Sequence, residues 1–373
     1  MSLYNGKKYH APDYVLLGLF GFLLVTGIIM LSSAGVAMGY QEKGDIYFYL
    51  KRQIFFGLIP GLILLYAASK IDYRFWKKIS LPALILSIGL LILVLIPGIG
   101  AARNGATRWI NLGLLDFQPA EIVKISFLIY LAAWLAKRSG SEIKDFTAGF
   151  LPFILILGLI TGLIVAQPDF GTMLIIAFTS VIVYFIGGAK LSHVLLLGLS
   201  SLGLLSLLIK FESYRMRRFT TFLHPEFDPQ GIGYHINQAF LAIGSGGFWG
   251  RGFGQSRQKF AYLPEAVSDS IFAIMAEELG FAFCFILVFA WLWLFQRGLK
   301  MASRAPDEFG RLLGTGIISL FVVQALINIG AMTGVVPLTG VPLPFISAGG
   351  TSLVISLAAV GILINISKQT KEI

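Results

Sequence analysis

Long apolar stretches alternate with short polar ones along the whole chain. A helix needs about 20 apolar residues to cross the hydrocarbon core of a bilayer, and most of the stretches reach that length. The pattern therefore predicts an all-α integral membrane protein with about ten transmembrane helices. The shortest stretch, 171–187, is also consistent with a re-entrant segment. The predicted spans are 13–35, 48–69, 79–98, 118–136, 147–166, 171–187, 191–210, 269–295, 312–333 and 346–366.

The composition supports the same class of protein. Of the 373 residues, 56% are hydrophobic and 13% are charged, which excludes an ordinary soluble domain. The net charge of +10 would suit a nucleic-acid ligand, but the positive residues lie in short loops, where membrane topology places them. The single cysteine, Cys284, excludes an intrachain disulfide. The first apolar stretch is too long for a signal-peptide core, so we expect it to remain uncleaved.

Lysine and arginine are unevenly distributed between the two sides of the predicted spans. Sixteen fall on one side and five on the other, with the long 211–268 loop left out because long loops follow the rule poorly. Since positive loops face the cytoplasm, we expect both termini there and the 211–268 loop outside. Residues 1–373 are predicted to form one polytopic domain. The sixteen lie in 1–12, 70–78, 137–146, 188–190, 296–311 and 367–373, and the five are Lys43, Lys51, Arg52, Arg103 and Arg108.

One carboxylate, Asp269, lies where the eighth span begins, directly after a polar, glycine-rich loop. A carboxylate at that boundary is partly removed from water and faces whatever the loop covers. The position suits a general base, an ion ligand or a proton carrier. Six glycines in residues 244–254 let the backbone approach a ligand closely or turn often, and Arg251, Arg257 and Lys259 beside them favour an anionic ligand.

A second polar group precedes the fourth span. Pro119 suits the first turn of a helix, which places Glu121 and Lys124 three residues apart on one helix face, about one turn into the bilayer. Such a pair either joins two helices or forms the charged wall of a cavity, because each charge alone would be costly there. Arg108, next to Trp109, is either an interfacial anchor or a phosphate ligand.

Three further segments have a simpler interpretation. Asp169 in the turn 167–172 is expected to cap the next helix, and the basic run 214–219 suits an interfacial helix. His224 and His235 match no common metal-ligand spacing. Three prolines and three glycines in 335–351 exclude a continuous helix. Because non-helical backbone at membrane depth lies against protein or a water-filled cavity, this segment predicts a cavity wall on the outer side.

Taken together, these segments resemble the SEDS family (shape, elongation, division and sporulation) of polytopic peptidoglycan glycosyltransferases. Five motifs match in order, and the number of predicted spans agrees over the whole chain. The motifs are Arg108-Trp109-Ile110 with Phe117 to Lys124; Gln167 to Thr172; Gly233-Tyr234 with Ala242 to Gly247; Tyr262 to Glu265 with Asp269 and Glu277 to Gly280; and Pro342 to Ser347 with Gly349-Gly350.

The resemblance implies ten transmembrane helices, an outward-facing cavity and a bacterial cytoplasmic membrane. It implies lipid II, an undecaprenyl-pyrophosphate disaccharide pentapeptide, as substrate, and its polymerisation with inversion at the sugar carbon. Asp269 matches the family's essential aspartate, the base for the acceptor hydroxyl. Arg108, Glu121 and Lys124 match the polar cluster of the cavity, and Arg251 and Ser347 are further substrate-binding candidates. We expect no organic cofactor and at most a weakly bound Mg²⁺ or Mn²⁺, because the sequence has no dense carboxylate cluster.

The family works with a class B penicillin-binding protein, so we expect that partner and other membrane proteins of the division or elongation machinery. Segments 228–231 and 255–259 resemble the division branch more than the elongation branch. The sequence departs from the family pattern at Ser268, Ser270, Ala348, Ala120 and His235, while the aspartate is kept. Alternative functions are a lipid II flippase, for which Glu277 and Glu278 would matter, a secondary transporter, or a non-catalytic scaffold for a transpeptidase.

Overall fold

Each predicted span contains a helix in the computed structural model, which describes residues 2–4, 7–103, 106–111, 116–211, 216, 220–228 and 230–370. The helices are α1 (Tyr14–Lys43), α2 (Phe48–Lys70, with a π-turn at Ile54–Leu58), α3 (Arg74–Lys78), α4 (Ser80–Leu95), α5 (Pro119–Leu135), α6 (Gly140–Ile143), α7 (Phe146–Val165), α8 (Phe170–Ile186), α9 (Leu191–Phe211), α10 (Ile232–Gly246), α11 (Ile271–Ser303), α12 (Glu308–Met332) and α13 (Gly350–Ser367).

Six of these helices are long and apolar enough to cross a membrane by themselves: α1, α2, α7, α11, α12 and α13. The apolar helices α4, α8 and α9 are shorter in the part that qualifies, and α5 carries two buried charges near its start. Large apolar side chains such as Phe285 and Phe289 on α11 are exposed, as expected of surfaces that face lipid. The prediction of an all-α, multi-pass membrane protein is confirmed.

The helices begin where the sequence supplies a cap. The Asp13 carboxylate accepts hydrogen bonds from the first amides of α1, at Val15 and Leu16, both at 3.1 Å. Asp169 caps α8 through the amide of Thr172 at 3.1 Å, as predicted. Helix α5 begins at Pro119, also as predicted, because a missing N–H costs nothing in the first turn.

The segments between the spans add elements that hydropathy does not reveal. A small antiparallel sheet precedes α5, formed by β3 (Gly100–Arg103), β4 (Ala106–Asn111) and β5 (Asp116–Phe117), and a hairpin of β1 (Ser2–Tyr4) and β2 (Lys7–Tyr9) opens the chain. Within the predicted 211–268 loop lies α10, which the prediction did not include. Of the basic run 214–219, all except Met216 lies outside the described residues, so an interfacial helix there stays a prediction.

The long helix α11 is interrupted close to its start. Gly280 has φ 76°, so the helix breaks there, and a Cβ at this position would lie 2.2 Å from the amide nitrogen of Gly250. The glycine-rich loop after α10 fills the break. The amide of Phe281 donates to the carbonyl of Gly247 at 2.9 Å, and the amide of Arg251 donates to that of Glu277 at 2.9 Å. The loop is therefore part of the packed body.

Contacts between the connecting segments show which of them share a side. The amide of His10 donates to the carbonyl of Lys368 at 2.9 Å, so the two ends of the chain meet. Arg74, after α2, pairs with Asp307, before α12, at 2.7 Å. Each contact requires an even number of crossings between the two segments that it joins.

Candidate active site

Asp269 lies two residues before the first residue of α11, and the residue is 8% exposed. Its carbonyl accepts a hydrogen bond from the side-chain Nδ2 of Asn328 at 2.8 Å. A Cβ at Gly340 would lie 3.9 Å from the carboxylate oxygen Oδ2, so the carboxylate lies beside a residue without a side chain. The Ser270 hydroxyl lies 3.5 Å from the other oxygen, Oδ1. The carboxylate is thus at a helix start, nearly buried, as the sequence indicated.

The non-helical segment 339–347, between α12 and α13, holds this region together. Asn328 donates to the carbonyl of Val341 at 2.7 Å with the same amide group that holds Asp269. The Ser347 hydroxyl donates to the carbonyl of Ser268 and accepts from the amide of Leu343 at 2.8 Å. Ser347 therefore lies next to Asp269 in space, with its hydroxyl used to tie segment 339–347 to the loop before α11.

The ion pair of α5 is linked to this segment through one side chain of α12. Lys124 and Glu121 are 2.9 Å apart, and each side chain is 5% exposed. Lys124 also donates to the side-chain oxygen of Gln324 at 2.8 Å, and Gln324 donates to the carbonyl of Pro342 at 2.9 Å. A buried pair is tolerated when such hydrogen bonds satisfy its remaining donors and acceptors. The pair is thus connected through Gln324 to the segment that contacts Asp269.

Arg108, in the central strand β4 of the small sheet, reaches the turn between α7 and α8. Its guanidinium donates to the carbonyls of Gln167 and Pro168 and lies 3.7 Å from the Asp169 carboxylate. The turn packs against segment 339–347, because a Cβ at Gly171 would lie 2.2 Å from a methyl carbon of Val341. The loop before α11, helix α12 and this turn therefore contact 339–347 directly, and α5 and Arg108 are connected to it through Gln324 and the turn.

Sequence reasoning missed the two amides that make these connections. Gln324 and Asn328 lie four residues apart on α12 and are 3% and 1% exposed. Two amide side chains on one face of an otherwise apolar span are costly unless they are hydrogen-bonded. Their spacing of four residues could therefore have indicated a buried hydrogen-bonded site on this helix. The Oδ1 atom of Asn328 is buried and has no hydrogen-bond partner among the described residues.

Arg251 belongs to a second buried cluster, on the first turns of α11. Its guanidinium lies 3.3 Å from the Glu277 carboxylate. Glu277 also accepts from the Ser256 hydroxyl at 2.5 Å and from the amides of Arg257 and Gln258 at 3.0 and 3.2 Å. The side chain of Arg251 is 34% exposed, so it is partly accessible while it holds the loop to α11.

The neighbouring carboxylate, Glu278, is enclosed still more completely. Lys259 lies 2.8 Å from it, and their side chains are 3% and 0% exposed. The hydroxyl of Ser33 on α1 donates to Glu278 at 2.6 Å, and the amide of Gly254 donates at 3.0 Å. This cluster links α1, the glycine-rich loop and α11 across a distance of more than 200 residues in sequence.

The two histidines of the predicted 211–268 loop contact other polar side chains. His235 lies 2.6 Å from the Ser270 hydroxyl, next to Asp269, and His224 lies 3.1 Å from Glu226. Across the described ranges, no group of three or more His, Cys, Asp or Glu side chains comes together as a metal site.

A family model identified by the names FtsW, RodA and SpoVE, and described as a cell cycle protein, matches residues 14–372. The chain belongs to this family. The matched range includes the five motifs that suggested the resemblance.

Individual members of the family are similar over almost their whole length. The chain is 40% identical to a probable peptidoglycan glycosyltransferase FtsW of Geobacter sp. (strain M18), covering 98% of this chain and 99% of that one. It is also 40% identical to stage V sporulation protein E of Bacillus subtilis (strain 168), with the same two coverages.

Solved structures of family members have the same fold. A chain of a peptidoglycan synthase complex that coordinates polymerization and crosslinking superposes with a TM-score of 0.80, at 29% identity, covering 96% of this chain and 98% of that one. Rod shape determining protein RodA of Thermus thermophilus superposes with a TM-score of 0.71, at 28% identity, covering 97% and 98%.

Proposed function

We propose that the chain is a peptidoglycan glycosyltransferase that polymerises lipid II into glycan strands. Relatives at about 40% identity over the whole chain carry that activity in their names. The observation that carries the proposal is the position of Asp269, a nearly buried carboxylate at a helix start, connected through segment 339–347 to the Glu121–Lys124 pair and to the Arg108 turn.

Asp269 acts as the general base in this proposal. The carboxylate takes the proton of the acceptor 4-hydroxyl while that oxygen bonds to the anomeric carbon of the donor sugar. The bond from that carbon to the pyrophosphate breaks at the same time, and the configuration inverts. Asn328 acts as a positioning residue, because one amide group holds both the Asp269 carbonyl and segment 339–347.

The second requirement is positive charge beside the leaving pyrophosphate, which is negative. We assign this role to Arg108 and Lys124, and also to Arg251 in the glycine-rich loop. Glu121 lies 2.9 Å from Lys124 and orients its ammonium group in a buried place. Ser347 supports the geometry by tying segment 339–347 to the loop that carries Asp269.

A resident metal has no built site in the part of the chain that the structure describes, since no cluster of three or more ligating side chains forms there. A weakly bound Mg²⁺ or Mn²⁺ that shares the pyrophosphate charge stays a prediction from the sequence. No step of the mechanism above passes through a metal ion.

We place the protein in the bacterial cytoplasmic membrane, with both termini in the cytoplasm and Asp269 outside, on the basis of the charge bias. Two features favour division or sporulation over elongation: the relatives named above are FtsW and stage V sporulation proteins, and the RodA structure is only 28% identical. A class B penicillin-binding protein is the partner we propose, because a solved relative belongs to a complex that also crosslinks.

The flippase alternative relied on Glu277 and Glu278 as polar groups along a transport route. Both carboxylates accept hydrogen bonds from the glycine-rich loop, and Glu278 pairs with Lys259. Groups held in this way stabilise the fold and are poorly suited to bind and release a passing substrate.

Polymerisation of lipid II by the purified protein tests the proposal. We expect glycan strands from the native protein and none from Asp269→Asn. A transporter or scaffold would form no strands in either case, and equal rates for the two proteins would show that Asp269 is not the base. Adding a class B penicillin-binding protein to both reactions shows separately whether the partner is required.

A further inference from the structure

A cavity of about 310 Å³ lies far from Asp269, at the opposite end of α11. Its walls come from residues 10–13 before α1, the last turns of α11 and the segment after α13. The volume is at the lower end of the range of small-molecule sites, which is about 300–1,000 Å³. The charge bias places this end of the protein in the cytoplasm.

Three cations at the end of α11 line the cavity: Arg297 and Lys300 on the helix and Arg304 directly after it. Their spacing of three and four residues puts them on one face of the helix end. One carboxylate, Asp13, accompanies them, and Arg297 pairs with it at 2.7 Å. Asp13 also caps α1 through its other carboxylate oxygen, so both oxygens have partners. Within the described residues, Lys300 and Arg304 have no carboxylate partner, and the cavity is left with an excess positive charge.

Arg304 carries the observation that points to a ligand. One of its terminal nitrogens, Nη1, is buried and has no hydrogen-bond partner among the described residues. A buried donor without an acceptor is unfavourable, and a guanidinium suits the oxygens of a phosphate. The positive-inside rule explains why cations occur on this side, but not why a guanidinium nitrogen is buried at a cavity without an acceptor.

We propose that this cavity binds the phosphodiester of an anionic phospholipid from the cytoplasmic leaflet. Basic pockets at the cytoplasmic ends of transmembrane helices are suited to such head groups, because the leaflet supplies the anion at high local concentration. Ser367 and Thr370 also line the cavity, and their hydroxyls donate to the carbonyls of Ile364 and Ser367. The proposal is independent of the glycosyltransferase activity.

Titration of the purified protein with phosphatidylglycerol, monitored by native mass spectrometry, tests this site, with phosphatidylcholine of the same acyl chains as the uncharged reference. We expect a preference for phosphatidylglycerol. Lys300→Gln and Arg304→Gln should each weaken its binding about five-fold, since one cation near a membrane surface contributes on the order of 1 kcal/mol. The matched control is Lys137→Gln, which removes one exposed charge from the same predicted side and should leave binding unchanged.

Three results would overturn the proposal. Equal weakening in Lys137→Gln would mean that the lipid responds to overall charge and not to the cavity. Unchanged binding in both cavity variants would mean that the lipid binds elsewhere. A third arm adds glycerol 3-phosphate as a competitor of phosphatidylglycerol. If it abolishes the lipid preference at concentrations similar to those at which phosphatidylglycerol binds, the site takes a soluble phosphate and the lipid assignment is wrong.

Discussion

Two carboxylate regions on either side of the start of α11 differ in how their charges are used. Asp269 lies before the helix, beside Gly340, and its carbonyl is held by Asn328. Glu278 lies within the helix and is enclosed by Lys259, a serine hydroxyl and loop amides. Both regions are nearly buried; the first lies beside a glycine, and the second is enclosed by donors from two other segments.

The difference teaches that burial and charge do not identify a catalytic carboxylate. The donors around Glu278 come from α1 and the glycine-rich loop, so the cluster fixes these two elements to α11. Near Asp269, Asn328 holds the backbone carbonyl, and the Ser270 hydroxyl lies 3.5 Å from the carboxylate oxygen Oδ1. We therefore expect changes in the first region to affect the reaction and changes in the second to affect folding.

The largest expected effect is on the reaction. Asp269→Asn keeps the shape of the side chain but removes the base, and general-base catalysis contributes about 10²–10⁴-fold. We expect polymerisation to fall by that factor while the thermal unfolding midpoint in detergent stays near the native value. If Asp269→Asn lost stability together with activity, Asp269 would have a structural role like that of Glu278.

The next effect is on stability. Breaking a buried ion pair by removing one partner costs about 3–5 kcal/mol, so Lys259→Met and Glu278→Gln should each lower the unfolding midpoint strongly. The double variant should recover part of the loss, because it leaves no isolated charge. Activity per folded molecule should stay near native. A Glu278→Gln protein that is stable but inactive would contradict this expectation and would show that the Glu278 region takes part in the reaction.

The sequence predicts what depends on near neighbours in the chain. The spans follow from stretches of about 20 residues, and the Glu121–Lys124 pair from a spacing of three. The Lys259–Glu278 pair was not predicted, because it forms only when the loop folds into the break at Gly280. Helix α10 was missed because its apolar positions alternate with glycine and polar residues, which lowers its hydropathy.

The connections to segment 339–347 were also beyond sequence reasoning, because they join residues tens to hundreds of positions apart. Three prolines and three glycines showed that the segment is not a continuous helix and predicted a cavity wall. Its role as the common contact of Asp269, Gln324 and Asn328 depends on where α12 places its side chains. That placement depends on how the helices pack, and the local hydrophobic and polar pattern of the sequence does not determine it.

A smaller effect is expected at the link between the Asp269 region and segment 339–347. Asn328→Ala leaves the carbonyls of Asp269 and Val341 without their donor, at a cost of about 1–3 kcal/mol. We expect polymerisation to fall about ten-fold, because the base and the cavity wall lose their common support. Ser319→Ala on the same helix is the control, since Ser319 is buried and its hydroxyl has no partner among the described residues. Equal losses in both variants would indicate a general packing effect.

The smallest effect separates burial from hydrogen bonding. Asp145, at the start of α7, accepts from the amides of Thr147 and Ala148 and from the Thr147 hydroxyl, much as Glu277 accepts from two amides and a serine hydroxyl. Asp145 is exposed, whereas Glu277 is 1% exposed. Hydrogen bonds from Ala148 and Thr147 hold the pKa of Asp145 below its usual value.

A carboxylate whose pKa is lowered on folding stabilises the native state above its unfolded pKa, and the stabilisation is lost as the pH falls through the folded pKa. Asp145→Asn keeps an N-cap and removes the charge, so we expect a slight loss of stability near pH 7 that disappears in acid, with activity unchanged. Unfolding midpoints of the two proteins measured from pH 7 downward test this. If Asp145→Asn were as damaging as Glu278→Gln, hydrogen bonding alone would explain the second region, and its burial would not be needed.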